Sequence, residues 1–412
     1  MASIEAGDTA WMLISTALVM LMTPGLAFFY GGLVRRKNVL SVMMQCLILI
    51  GVISLQWILL GYSLAFGPDK GGIIGDFSWA LLRGVGVEPN PDYAATIPHQ
   101  LFMAFQMMFA IITPALIVGA FAERMKFSAF LVFSVLWSTL VYDPMAHWVW
   151  GVGGLLREWG ALDFAGGTVV HINAGMAALA AALVVGKRRG YPDISPPHNL
   201  PFAILGAALL WLGWFGFNAG SALTAGELAV SAFLNTHLAA GTAGLAWAGL
   251  EWIKSKRPTA LGTISGVVAG LVAVTPASGF VSPWGAVGIG ALAGLACYAA
   301  VVFLKVKVGY DDSLDAFGVH GVGGMLGALL TGLWATTTVN PGGADGLFSA
   351  GGWRLLGLQA AALAICAVYS FVLSFGLLKL VDKVMGLRVS VDSENIGLDL
   401  TQHSESAYTL VG

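Results

Sequence analysis

Charged residues are so sparse along this chain, and so regularly gathered between apolar runs, that few architectures are open to it. Asp, Glu, Lys and Arg make up 10% of its 412 residues, against about 25% in a soluble domain. So little charge cannot cover the surface of a soluble protein of this size. With 57% hydrophobic residues and a mean hydropathy of +0.81, most of the chain must face lipid or protein. A helix needs about 20 apolar residues to cross the hydrocarbon core. Runs of that kind lie near 11–33, 39–66, 100–121, 127–146, 166–186, 200–220, 229–252, 260–276, 285–304, 316–336 and 353–378. The expectation is an all-α integral membrane protein with eleven transmembrane helices. The first run is long enough to span and lacks a basic leader, so it reads as a retained first helix.

The basic residues order these runs in the bilayer. Arg35, Arg36 and Lys37 follow the first run, Arg124 and Lys126 the third, and Lys187, Arg188 and Arg189 the fifth. Lys254, Lys256 and Arg257 follow the seventh, Lys305 and Lys307 the ninth, and Lys379, Lys383 and Arg388 the eleventh. Sixteen of the twenty cations thus lie on one side, and only Lys70, Arg83, Arg157 and Arg354 on the other. Cytoplasmic loops carry the excess of Lys and Arg. The N-terminus is therefore expected outside and the C-terminus in the cytoplasm. Residues 1–380 form the membrane domain, and the polar segment 381–412 forms a cytoplasmic tail. A formal net charge of −2 leaves no basic footprint for nucleic acid. Fifty-five glycines suit close helix packing in lipid, with small-xxx-small pairs at Gly216–Gly220, Gly290–Gly294 and Gly323–Gly327. Cys46, Cys297 and Cys366 stand apart in apolar runs and read as core residues.

One sequence pattern occurs twice. Asp163-Phe-Ala-Gly-Gly-Thr-Val-Val-His171-Ile-Asn-Ala-Gly175-Met176 and Asp312-Ser-Leu-Asp-Ala-Phe-Gly-Val-His320-Gly-Val-Gly-Gly324-Met325 both read Asp-x7-His-x3-Gly-Met. The copies lie at the fifth and tenth runs, so they traverse the membrane in opposite directions. That is an inverted repeat of helices 1–5 and 6–10, with helix 11 peripheral. Such repeats place a transport site at the midplane between the halves. Eight helical residues advance about 12 Å, and half the hydrocarbon thickness is about 15 Å. Each His therefore approaches the midplane, one from each side. A lone buried histidine is more often a satisfied packing residue. Two ionisable groups at membrane depth, in duplicated settings, point to a pore or binding pair. Asp163 and Asp312 have an ordinary role as helix caps. Asp163 can also favour a cation near the outer mouth through its field.

These segments resemble the ammonium transporter family. Asp163-Phe-Ala-Gly-Gly167 through His171 is similar to its signature. Pro24-Gly-Leu-Ala-Phe-Phe-Tyr-Gly-Gly32 with Asn38-Val-Leu40, Trp214-Phe-Gly-Phe-Asn-Ala-Gly220, Thr275-Pro-Ala-Ser278 and Phe317-Gly-Val-His320-Gly look like family segments in the same order. The resemblance covers nearly the whole chain. It implies an eleven-helix fold, a homotrimer in the plasma membrane and one narrow pore per subunit. By motif, it carries the paired pore histidines onto His171 and His320, and the stacked gate onto Phe109 and Phe217. The external ammonium site falls on Trp150 and Ser221. Without the resemblance, those four aromatic and hydroxyl residues read as packing or interface anchors. The tail segment from Gly397 to Tyr408 resembles the family's cytoplasmic motif but has Ser404 where Gly is usual, a position whose backbone shape Gly adopts more readily.

The resemblance also implies a mechanism. Aromatic faces replace part of the water around ammonium, and a hydroxyl accepts one of its N–H bonds. An apolar lumen then makes the intact ion costly, and the ion can shed a proton where potassium cannot. Two neutral imidazoles can pass that proton on. The implied cargo is ammonium or ammonia, with methylammonium a further candidate. The basic loops and the tail suggest a cytoplasmic partner of the PII regulatory type. No cofactor is expected. A membrane enzyme with zinc on the two histidines needs three or four ligands, and no third His or acidic partner lies near either at membrane depth. An ammonium sensor on the same scaffold is the other rival.

Overall fold

The computed structural model describes residues 3–192 and 196–408, which are largely helical. Among the described residues, nine helices are long and apolar enough to cross a membrane. They are Ala6–Leu33, Arg36–Phe66, His99–Phe121, Phe127–Trp159, Gly167–Val185, Leu200–Gly220, Pro283–Val308, Phe317–Trp334 and Trp353–Met385. Two further helices occupy the remaining predicted runs. Glu227–Ser255 has 29 residues, but Asn235, Thr236 and His237 near its middle lower its apolarity. Ala260–Val274 has only 15 residues. The span expected at 260–276 ends early because Pro276 has no N–H to continue a helix. A fully buried turn, 275–280, follows, and the Pro276 carbonyl accepts from Phe164 N at 3.1 Å.

Glycine brings the helices together at backbone distance. A Cβ added at Gly206 would lie 2.2 Å from Phe29 N, so helices Ala6–Leu33 and Leu200–Gly220 touch main chain to main chain. Lipid does not drive helices together by the hydrophobic effect, and such close contact supplies dispersion energy instead. The three cysteines are free and buried.

One end of the bundle gathers the cations that follow alternate runs. Arg35 Nη2 pairs with Glu123 at 2.9 Å, and Arg188 Nη2 with Asp311 at 2.7 Å. Arg188 also approaches Glu123, at 3.6 Å. Burial alone would raise the Glu123 carboxyl, but the Arg35 hydrogen bonds and charge hold it below its ordinary value. Asp311 is lowered in the same way: burial opposes the shift, and the bonds and charge of Arg188 overcome it. The buried Arg124 guanidinium donates to the carbonyls of Gly186, Ala122, Ala120 and Asp311 and to Ser313 Oγ, tying three segments together.

The tail folds back onto this end. Helices Val391–Ile396 and Leu398–His403 lie against the start of the second span. Asp399 Oδ1 accepts from Ser41 N at 2.8 Å, Asn38 Oδ1 accepts from Leu398 N at 2.9 Å, and Arg388 Nε donates to Glu394 at 2.5 Å. Ser404 ends the second short helix with φ 56° and ψ 32°. Residues 409–412 of the predicted tail lie outside the described residues. At the other end of the bundle, the connection 67–99 forms a small hairpin, Asp69–Lys70 against Ile74–Gly75. Trp148 Nε1 ties it to the fourth span through the Ile73 carbonyl, at 2.7 Å.

Candidate functional site

Both copies of the repeat begin with a cap. Asp163 Oδ1 accepts from Gly166 N and Gly167 N, and Oδ2 from Thr168 N and Val169 N, at 2.7–3.2 Å. Asp312 Oδ2 accepts from Phe317 N at 2.7 Å. Each carboxylate stands ahead of the helix, satisfying N–H groups that have no partner in a first turn. Only part of the eight-residue interval from Asp to His is therefore helical. The helical part is the wider i→i+5 form in both copies, at Gly167–Ile172 and Phe317–Gly321. Such turns are rare and gather at functional positions.

His171 and His320 sit inside these wide turns, 1% and 4% exposed, and meet Nδ1 to Nδ1 at 3.3 Å. Their rings are stacked, 5.3 Å between centroids and 21° apart. Between neutral rings only one nitrogen of a facing pair carries a proton, so the contact is asymmetric: one ring donates from Nδ1, and the other holds its proton on Nε2. The His171 Nε2 atom has no partner within the protein. Duplicated glycines make the contact possible. A Cβ at Gly175 would lie 2.3 Å from Gly321 Cα, and one at Gly324 would lie 3.0 Å from the His171 Cβ. The x3-Gly element thus gives each copy room for the other.

Trp214 stacks on the first histidine, 5.4 Å from the His171 ring, and its Nε1 is fixed on Thr275 Oγ1 at 2.9 Å. Sequence reasoning did not select Trp214 as a site residue; its only signal was membership of the Trp214–Gly220 segment. Phe217 stacks on His171 at 5.9 Å and on Phe109 at 4.2 Å. Phe109 in turn receives Trp150 edge-on at 5.8 Å. Trp150 Nε1 donates to the Asp163 carbonyl at 3.0 Å, and Ser221 Oγ to the Phe217 carbonyl at 2.8 Å. Six of the eight residues singled out in the sequence thus form one continuous column: Trp150 and Ser221, then Phe109 and Phe217, then His171 and His320. The other two, Asp163 and Asp312, cap the helices that carry the histidines.

Three spaces lie along that column. An outer cavity of about 180 Å³ is bounded by Trp150, Ser221, Phe109 and Gln106. An inner cavity of about 360 Å³ is bounded by His320, Asp315, Ser313 and Arg188. Between them, walled by Phe217, Trp214, His171 and His320, only about 10 Å³ is open. That is room for about one water-sized molecule, in surroundings that offer it little beyond ring nitrogens. Lys305 pairs with Asp315 at the inner cavity. Among the described residues, no three His, Cys, Asp or Glu side chains gather as a metal site needs.

The pattern of the Ammonium Transporter Family matches residues 10–408. An ammonium transporter of Bacillus subtilis strain 168 is 54% identical over 404 residues, covering 98% of this chain and 99% of the relative. The crystal structure of Candida albicans Mep2 superposes with a TM-score of 0.90 at 35% identity, covering 99% of this chain and 94% of that one. A structure described as a sensor Amt protein superposes with a TM-score of 0.87 at 32% identity, covering 96% and 98%. With a family match over nearly its whole length and relatives that share both sequence and fold, this chain is a member of the ammonium transporter family.

Proposed function

We propose that this protein carries ammonium nitrogen across the plasma membrane by dividing the ion. Ammonium is captured at Trp150 and Ser221, passes the Phe109–Phe217 pair, and gives up its proton. Ammonia crosses the neck, and the proton moves by way of His171 and His320. The observation that carries this reading is the histidine contact, which spans the one tight stretch between two open cavities. A hydrated cation does not fit about 10 Å³, whereas a single ammonia-sized molecule does. Asp163 favours cation capture from a distance through its field, as its oxygens are taken up by the cap.

The same reading takes eleven spans, an external N-terminus, an inverted repeat and a homotrimer. The gathering of Arg35, Arg124, Arg188 and Arg388 at one end supports that orientation. The tail docked on that end is the surface we assign to a PII-type regulator. Ammonium-driven current in proteoliposomes tests the transport reading, with methylammonium and potassium as comparisons. A sensing role is the second reading, favoured by the likeness to the sensor Amt protein. Sustained ammonium current would separate transport from pure sensing.

A further inference from the structure

Arg157 is one of only four cations that the sequence places away from the basic end. It borders the outer cavity, where a cation is the expected guest. It stands exposed on the short helix Leu155–Trp159 and forms no ion pair among the described residues. Its Nη1 donates to the Trp150 carbonyl at 2.5 Å. That bond satisfies one of the free carbonyls at the end of helix Asp143–Trp150. Capping accounts for the bond but not for the charge. A neutral donor would cap as well, and a positive charge beside a cation site opposes capture.

Charges of both signs surround the Trp150 ring. At one end of the residue, its carbonyl holds Arg157. At the other, its Nε1 donates to the main-chain carbonyl of Asp163, whose carboxylate accepts four N–H bonds. Asp92 adds an exposed carboxylate to the cavity wall. Two carboxylates, aromatic faces and the lone pairs of Ser221 attract any small cation. They attract a divalent one more, since a fixed charge acts on an ion in proportion to its valence. By the same rule, a guanidinium among them repels a divalent ion twice as strongly as ammonium. Its bond to Trp150 keeps that charge at the cavity and out of open solvent.

We infer that Arg157 is a specificity-determining residue of the outer site: its charge lowers affinity in proportion to valence, so monovalent ammonium enters ahead of divalent cations. The inference rests on the transport reading above and deepens it. Affinity for ammonium is reduced a little, and affinity for divalent cations is reduced by the square of the same factor. A residue that only capped the helix would move both ions alike, through the placement of the Trp150 ring.

The test is ammonium current in proteoliposomes, with barium as a divalent competitor and folding checked by size exclusion. Arg157→Gln removes the charge and keeps N–H donors. At low ionic strength its half-saturation for ammonium should fall about threefold, the scale of one charge at a wet site. Its inhibition constant for barium should fall by the square, about ninefold. Both shifts should fade at an ionic strength of about 1 M, where the Debye length is about 3 Å. Arg157→Lys keeps the charge and should hold both constants at wild-type values. Unchanged or raised half-saturation in Arg157→Gln, equal shifts for the two ions, shifts that persist in high salt, or no inhibition of that variant by barium would overturn the inference. If Arg157→Gln does not fold, Arg157→Lys decides: constants that leave the wild-type values overturn it. A wild type with no ammonium current overturns the transport reading itself.

Discussion

Gly175 passes Gly321 so closely that a single added methyl would lie 2.3 Å from the opposing Cα. The contact joins the two copies of the repeat beside both histidines. Gly175→Ala is therefore expected to push the copies apart and lengthen the 3.3 Å Nδ1 contact. Overpacking of this kind costs about 1–3 kcal/mol. Thermal unfolding in detergent should show that loss, and ammonium current should fall more than tenfold in the protein that remains folded.

Replacing either His171 or His320 with Leu should impair coupled charge movement while the fold stays intact, because neither ring is bonded to any part of the scaffold other than its partner ring. An acidic residue at one position should restore conduction of a cation and weaken discrimination against potassium, since the ion then need not shed its proton. Current is measured in proteoliposomes, with oligomer integrity followed by size exclusion. A double Leu variant that stays folded and carries wild-type current would mean that the pair is only packing.

Trp150→Ala should weaken apparent affinity more than maximal flux. The ring meets Phe109 edge-on at the outer cavity, ahead of the neck. Losing one aromatic face from a partly desolvated cation site costs about 1–2 kcal/mol, a rise in half-saturation of about 5- to 30-fold. Unchanged half-saturation with abolished flux would place Trp150 in the conduction path instead.

Ser404 holds a left-handed backbone, φ 56°, which costs a residue with a Cβ about 1–2 kcal/mol relative to glycine. Ser404→Gly should therefore strengthen tail docking. Hydrogen exchange at residues 397–408 should slow several-fold, with no change in the exchange of the pore helices.

Acid should loosen the end that holds Glu123 and Asp311. Both carboxyls are lowered in the folded protein, as Arg35 and Arg188 outweigh the opposing effect of burial. A lowered carboxylate stabilises the fold above its unfolded value, about 4, and that contribution is lost as pH falls through the lower folded value. Glu123→Gln should destabilise the protein by about 1–3 kcal/mol near neutral pH, because it removes the charge partner of the part-buried Arg35 guanidinium. The difference between the melting temperatures of the two proteins should begin to narrow as pH falls below about 4.

Helix limits were legible because lipid imposes one rule on every span. The run expected at 200–220 is helix Leu200–Gly220, and that at 100–121 is His99–Phe121. What periodicity could not reveal are departures from the ordinary helix. The wide turns at Gly167–Ile172 and Phe317–Gly321 have the composition of any apolar helix. The duplicated Asp-x7-His pattern marked the right residues, but it did not distinguish a helical carboxylate from one standing outside as a cap. Phe109, Trp150 and the Phe217–Ser221 pair come together from three segments, and local pattern alone singled out none of the four.

The short neck between the two cavities also sets where an applied voltage acts. Once water enters the cavities on either side they conduct, so the membrane potential falls mainly across the stretch from Phe109 to His320. A unit charge crossing that stretch exchanges about 2.3 kcal/mol with the field per 100 mV. A charge resting at Trp150 and Ser221 exchanges little. Capture at the outer cavity should thus be indifferent to voltage. Under the proposed division of the ion, a proton crossing beside His171 and His320 should feel nearly all of it, and half-saturation and turnover should separate in their dependence on membrane potential.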